Sequence, residues 1–310
     1  MRPAIVTAAI AAAALTACAP LAPPAQTTTA ALRPVMAWPA LLTRPRPAPT
    51  RTIAYCPDPH PVADPWLPAA TRKGPHPTVL MVHGGCWTTA IADRSIMNWI
   101  ADDLARRGYA VWNIDYRGVD RPGGGYPGTF RDVAAAADAL RGQAAANNLD
   151  LRRLVAVGHS AGGHLALWLA GRSKLPAGSP LRTAATPLPI HHVVSLGGLQ
   201  DLEQDRAEIN GCGSDVIDQL VGPPTTRTRD VYADTSLPRL APIGVAHTMV
   251  NGDRDRIIPT HFAATYAARM RGHGDRVTVR IVPNQGHVEL IAPETPAWAT
   301  AVKAIAKATR

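Results

Sequence analysis

The chain has 310 residues, 46% of them hydrophobic and 18% charged, with 32 Lys and Arg against 23 Asp and Glu for a formal charge of +9. That length accommodates one large α/β domain with an N-terminal extension, and nothing in it suggests a second core. The cationic excess is arginine scattered singly, with no basic helix stripe and no aromatics interleaved with cations, which excludes the pattern of a nucleic-acid binder.

Residues 1–17 carry one basic residue, Arg2, and then an apolar stretch from Ala4 to Leu15. The stretch is too short to span a membrane and reads as a cleaved export signal. Its end, Leu15-Thr16-Ala17-Cys18, resembles a bacterial lipobox, which makes Cys18 the expected lipidation site and the protein an exported lipoprotein anchored to a membrane. Ala17-Cys18-Ala19 also fits ordinary signal cleavage, which would give a secreted or periplasmic soluble form. Residues 18–50, rich in Pro, Ala and Thr, are expected to be a disordered tether, and the folded domain is expected over 51–310.

The first strong strand signal is the β-branched and aliphatic run at 78–82, which leads into His83-Gly84-Gly85-Cys86-Trp87. A helix follows over about 93–107, a strand over 110–115, a helix over about 129–146, a strand over 153–158 and a helix over 161–171. Such alternation implies a mostly parallel sheet with right-handed crossovers and helices on both faces. Gly123-Gly124-Gly125 lacks the Lys and Ser/Thr ending of a phosphate cradle and is read as a loop.

Between the last strand and helix of that series lies Gly158-His159-Ser160-Ala161-Gly162-Gly163. A serine at a sharp strand-to-helix corner needs small neighbours two positions to either side, and the helix behind it aims an N–H at a developing oxyanion. Ser160 is therefore the candidate nucleophile.

Two segments rich in Pro, Gly and Thr then interrupt the series, at about 172–190 and 203–240; they are expected to shape the substrate entrance as short insertions and no large lid, with a short helix at 215–221. His191-His192 opens a strand whose neighbouring side chains face opposite ways, so no metal site is expected there or elsewhere, and no cofactor. Strands at 245–250 and 277–282 end in turns that carry Asp253 and Asp255, and then His287. Ser, then Asp, then His, each beyond the carboxyl end of a strand, is the chain order of an α/β-hydrolase triad.

With both His83-Gly84-Gly85-Cys86-Trp87 and the Ser160 hexapeptide present, residues 52–310 resemble the α/β-hydrolases of the small esterase and kynurenine-formamidase-like branch. The resemblance implies an α/β-hydrolase fold with Asp255 as the acid in preference to Asp253, His287 as the base, and an oxyanion hole from the backbone N–H groups of Ala161 and of Gly85 or Cys86. It implies further that Asp115, Tyr116, Arg117 and Asp132 form an internal polar network, that His83, His159 and His164 pack or brace, and that Trp87 anchors the core or the pocket wall.

With Cys18 set aside, three cysteines remain and at most one intramolecular bridge can form. Cys86 is the expected free thiol, and Cys56–Cys212 the pairing considered. The expected activity is hydrolysis of small carboxylic esters, or of N-formyl aryl amides, through an acyl-enzyme. The alternatives are a peptidase of the prolyl-oligopeptidase kind and a non-catalytic, surface-tethered binding protein on the same fold.

Overall fold

A computed structural model describes residues 33–55, 62–69, 73–209, 211–213, 215–225 and 230–310, and the compact unit within it runs from Pro34 to Arg310. Cys18 and Cys56 lie outside the described residues.

Among the described residues one eight-stranded sheet organises the chain, in the order β1-β2-β4-β3-β5-β6-β7-β8. The strands are β1 (Ile53–Ala54), β2 (Val62–Trp66), β3 (His76–Val82), β4 (Ala110–Ile114), β5 (Leu149–His159), β6 (His192–Leu196), β7 (Ala246–Gly252) and β8 (Val277–Val282). β1 and β2 pair antiparallel at one side, and every pairing from β4 through β3 to β8 is parallel. The helices are α1 (Trp38–Leu42), α2 (Asn98–Arg107), α3 (Gly128–Gln143), α4 (Ala161–Gly171), α5 (Leu202–Asp205), α6 (Val216–Val221), α7 (Thr260–Gly272) and α8 (Pro296–Ala308).

Strands β3, β4, β6 and β7 are buried along nearly their whole length, covered on both faces as a parallel sheet requires. Alternate side chains divide between two cores: Leu80, Val82 and Ala156 pack with residues of α3, α4 and α7, whereas Val79, Met81, Val155 and Val157 pack with α2 and α8. This is the α/β-hydrolase architecture expected from the motifs. β1 and β2 were not anticipated, because two residues and a Pro-containing five carry little strand signal. The helix expected from 93 begins as a 3-10 turn over Arg94–Met97, with Asp93 accepting from Ser95 N–H at 2.8 Å. The helix expected at 215–221 is α6.

The tether expectation is corrected over its second half. Residues 34–50 belong to the compact unit and lie against it as a strap. Leu41 is fully buried among residues of α2 and α8, and the Met36 N–H and the Arg44 guanidinium reach Glu289 and Glu294. On the other side Trp99 Nε1 donates to Pro45 O at 3.1 Å and Asn98 Nδ2 to Pro47 O at 2.9 Å. Composition hid this. Four apolar side chains, Val35, Met36, Trp38 and Leu41, are enough to dock a proline-rich segment when the domain offers them a surface. No helix among the described residues is long and apolar enough to cross a membrane.

Candidate active site

The turn from β5 into α4 holds Ser160 at φ 51° and ψ −122°, a conformation L-residues seldom adopt. The flanking glycines make it feasible. A Cβ on Gly158 would stand 2.0 Å from Gly162 O, and one on Gly162 would stand 2.2 Å from Val82 O. Ser160 N–H donates to Leu196 O at 2.9 Å, which pins the corner to the end of β6.

Beyond β7 the chain turns through Asp253 and Asp255. Asp253 is exposed, whereas Asp255 is buried and fixed at both oxygens. Its Oδ1 accepts the N–H groups of Ile257 and Ile258, each at 2.8 Å, and its Oδ2 accepts from His287 Nδ1 at 2.7 Å. His287 follows β8 and lies against His159, ring centroids 4.5 Å apart. His159 Nε2 donates to the His287 carbonyl at 3.2 Å. Burial first, and then the neighbouring His287, hold the His159 imidazole well below its usual pKa, so this ring is neutral packing beside His287.

The loop after β3 carries three successive residues of positive φ, Gly85 at 104°, Cys86 at 53° and Trp87 at 52°. It rests on a polar scaffold. His83 Nε2 faces Asp115 Oδ1 at 3.0 Å, its Nδ1 faces Gly84 O at 2.7 Å, and its ring stacks on Tyr116 at 4.2 Å. Arg94 bridges Asp115 at 2.9 Å and Asp64 at 2.7 Å. Burial pushes the Asp115 carboxyl up, but the bonds and charges of His83 and Arg94 outweigh it and hold the group below the usual range. Arg117 pairs with Asp132 at 2.8 Å, completing the network expected for this stretch. Trp87 is fully buried and sits edge-on to His164, which burial lowers to a pKa of about 4.

Gly85, Cys86, His159, Ser160 and His287 share one cavity of about 510 Å³. That volume lies within the range of small-molecule sites. Ala161, the first residue of α4, is buried directly after Ser160, so its amide belongs to the positive end of that helix. Among the described residues no group of three or more His, Cys, Asp or Glu side chains is placed to hold a metal ion.

The cysteine expectation is overturned. Cys86 is not a free thiol but is bridged to Cys212, with Cα atoms 5.5 Å apart, so Cys212 does not pair with Cys56. The bond crosses 126 positions of sequence, a separation no spacing rule can see. It ties the loop beside Ser160 to the insertion before α6, and neighbouring Gly211 lines the cavity. The reading also missed Trp38, Leu42 and Arg46, which form one wall of the cavity from the strap. A lone tryptophan in a proline-rich stretch was the available signal.

The sheet order, the turns at its carboxyl edge and the placement of Ser160 define an α/β-hydrolase. The sequence signature of the BD-FAE family matches residues 64–270, and the chain belongs to that family. No curated protein sequence matches. Among solved structures, esterase B from Lactobacillus rhamnosis (HN001) superimposes with a TM-score of 0.67 at 20% identity, over 80% of this chain and 79% of that one. Thermogutta terrifontis esterase 2, phosphoramylated by tabun, gives 0.67 at 17% identity over 85% and 96% of the two chains. A bacterial heroin esterase gives 0.65 at 22% identity over 84% of each.

Proposed function

We propose that this protein is a serine hydrolase of small carboxylic esters that works through an acyl-enzyme. One observation carries the reading: His287, held at 2.7 Å by a carboxylate that two backbone N–H groups also fix, lines the same cavity as a serine on a strained corner. In this reading Ser160 Oγ attacks the carbonyl carbon and His287 Nε2 takes its proton. Asp255 keeps the proton on Nδ1 and stabilises the imidazolium. The oxyanion lies against the N–H groups of Ala161 and of Gly85 or Cys86, a contact for which loss of one donor typically costs about 3–4 kcal/mol. His287 then protonates the leaving alcohol as the tetrahedral intermediate collapses. Water repeats the sequence on the acyl-enzyme and frees Ser160.

Membership of the BD-FAE family and the esterases among the structural neighbours support ester substrates. N-formyl aryl amides are the second substrate class, proposed on the kynurenine-formamidase-like motifs. From Leu15-Thr16-Ala17-Cys18 we also propose an exported, lipid-anchored protein. Ser160→Ala should abolish hydrolysis of p-nitrophenyl acetate in a protein with unchanged far-UV circular dichroism. More than about a hundredth of the wild-type rate remaining would overturn the assignment of the nucleophile. A dipeptide hydrolysed faster than the ester would favour the peptidase instead.

A further inference from the structure

His287 stands on a turn, at the start of a 3-10 segment over Val288–Ile291. The Asp255 bond fixes only one edge of its ring. Two further rings border it, His159 at the corner after β5 and one from the strap. Trp38, on the strap, lies edge-on to His287 with ring centroids 6.3 Å apart and an interplanar angle of 74°, and edge-on to His159 at 6.2 Å and 74°. The imidazole is thus bracketed by an aspartate, a neutral histidine and an indole.

The strap is fastened to the same turn that carries the histidine. Glu289 is the clamp: one carboxylate oxygen accepts the Met36 N–H from the strap, and the other accepts Gly286 N–H at 3.0 Å, one residue before His287. Val35 lies so close that a Cβ on Gly286 would meet it at 3.2 Å. At its other end the strap is held by Arg46, which donates to Ser95 Oγ at 2.7 Å and stacks over Trp99 at 4.9 Å. The segment that carries Trp38 is therefore fastened to the turn that carries His287.

We propose that Trp38 is a positioning residue: it holds the His287 ring in the orientation that faces Ser160 and closes one wall of the substrate cavity. The proposal rests on the reading of His287 as the base. A base displaced by about 1 Å loses up to about a hundredfold in rate, so an indole that prevents such drift has a measurable effect. Trp38 is itself half-buried and packs against the core on the α2 and α8 side without being one of its fully buried members.

The test uses full-length Trp38→Ala, Trp38→Phe, His287→Ala and the Trp38→Ala/His287→Ala double variant, with p-nitrophenyl acetate as substrate and circular dichroism as the folding check. Trp38→Ala should lower kcat by at least about tenfold, with any rise in KM from the opened cavity wall coming on top of that loss, and Trp38→Phe, which keeps an aromatic edge, should recover most of the loss in kcat. Because Trp38 acts through His287, adding Trp38→Ala to His287→Ala should leave the residual turnover unchanged. An unchanged kcat in folded Trp38→Ala, a Phe variant as damaged as the Ala variant, or the same fractional loss in both backgrounds would overturn the proposal. The hydrolase reading is judged separately, by whether Ser160→Ala abolishes wild-type turnover.

Discussion

The Asp255 carboxylate accepts three hydrogen bonds, two from backbone N–H groups of its own turn and one from His287. Asp253, two residues earlier, is exposed, and its backbone N–H is spent on Val282 O at 3.1 Å. An amide at 255 would still fit, but it would present the wrong group to His287 and favour the wrong tautomer. Asp255→Asn should therefore lower kcat by about 10³- to 10⁴-fold, whereas Asp253→Asn should stay within about twofold of wild type. A steady-state comparison of the two folded variants decides this, and an Asp253 variant that is the more damaged would reassign the acid. The placement of Ser160, Asp255 and His287 was legible in the sequence because each requirement is local: small residues around a serine corner, and a carboxylate and an imidazole just past strand ends. Trp38 was not legible, because its partners, His159 and His287, are brought to it only by the folded sheet.

At the scale of elements, the parallel strands and the helices between them could be read from periodicity, since each buried strand is a short apolar run bounded by turns. The disulfide could not, because pairing depends on where the long insertion folds back. That bond joins the positive-φ loop after β3 to the turn before α6, so it braces one side of the cavity covalently. Closing a loop of this length constrains the unfolded chain by up to about 5 kcal/mol in the chain-entropy account. Cys212→Ala should lower Tm by several degrees and also lower kcat, because Cys86 then loses the restraint on its strained backbone. Dithiothreitol should do the same to the wild type and nothing further to the variant. Alkylation of Cys86 or Cys212 in denatured, unreduced protein would show that the bond is not formed.

For the whole molecule, the strap changes what the N-terminal extension has to span. If Cys18 is acylated, the chain between anchor and domain is residues 18–33 and not 18–50, with a reach of at most about 55 Å in place of about 115 Å. Cys18→Ser should release the protein from membranes on fractionation. A mature wild-type N-terminus at any residue other than Cys18, or a Cys18 without lipid mass, would refute the anchor. The reading of residues 18–50 as one uniform tether failed because low-complexity composition was weighed over its few large apolar side chains. Leu41 alone, fully buried, is inconsistent with a solvated linker.

The strap enters the domain with Val35 against Gly286 and Trp38 at the cavity wall. α8 starts from the Thr295 cap, where Thr295 Oγ1 donates to Glu289 O at 2.6 Å, and its 13 residues rise about 20 Å along the helix axis from that cap. The two routes of attachment to a support are therefore not equivalent. A support attached at Pro34 itself is joined to the cavity wall through the few residues up to Trp38, whereas one attached at the end of α8 is separated from Thr295 by the length of that helix.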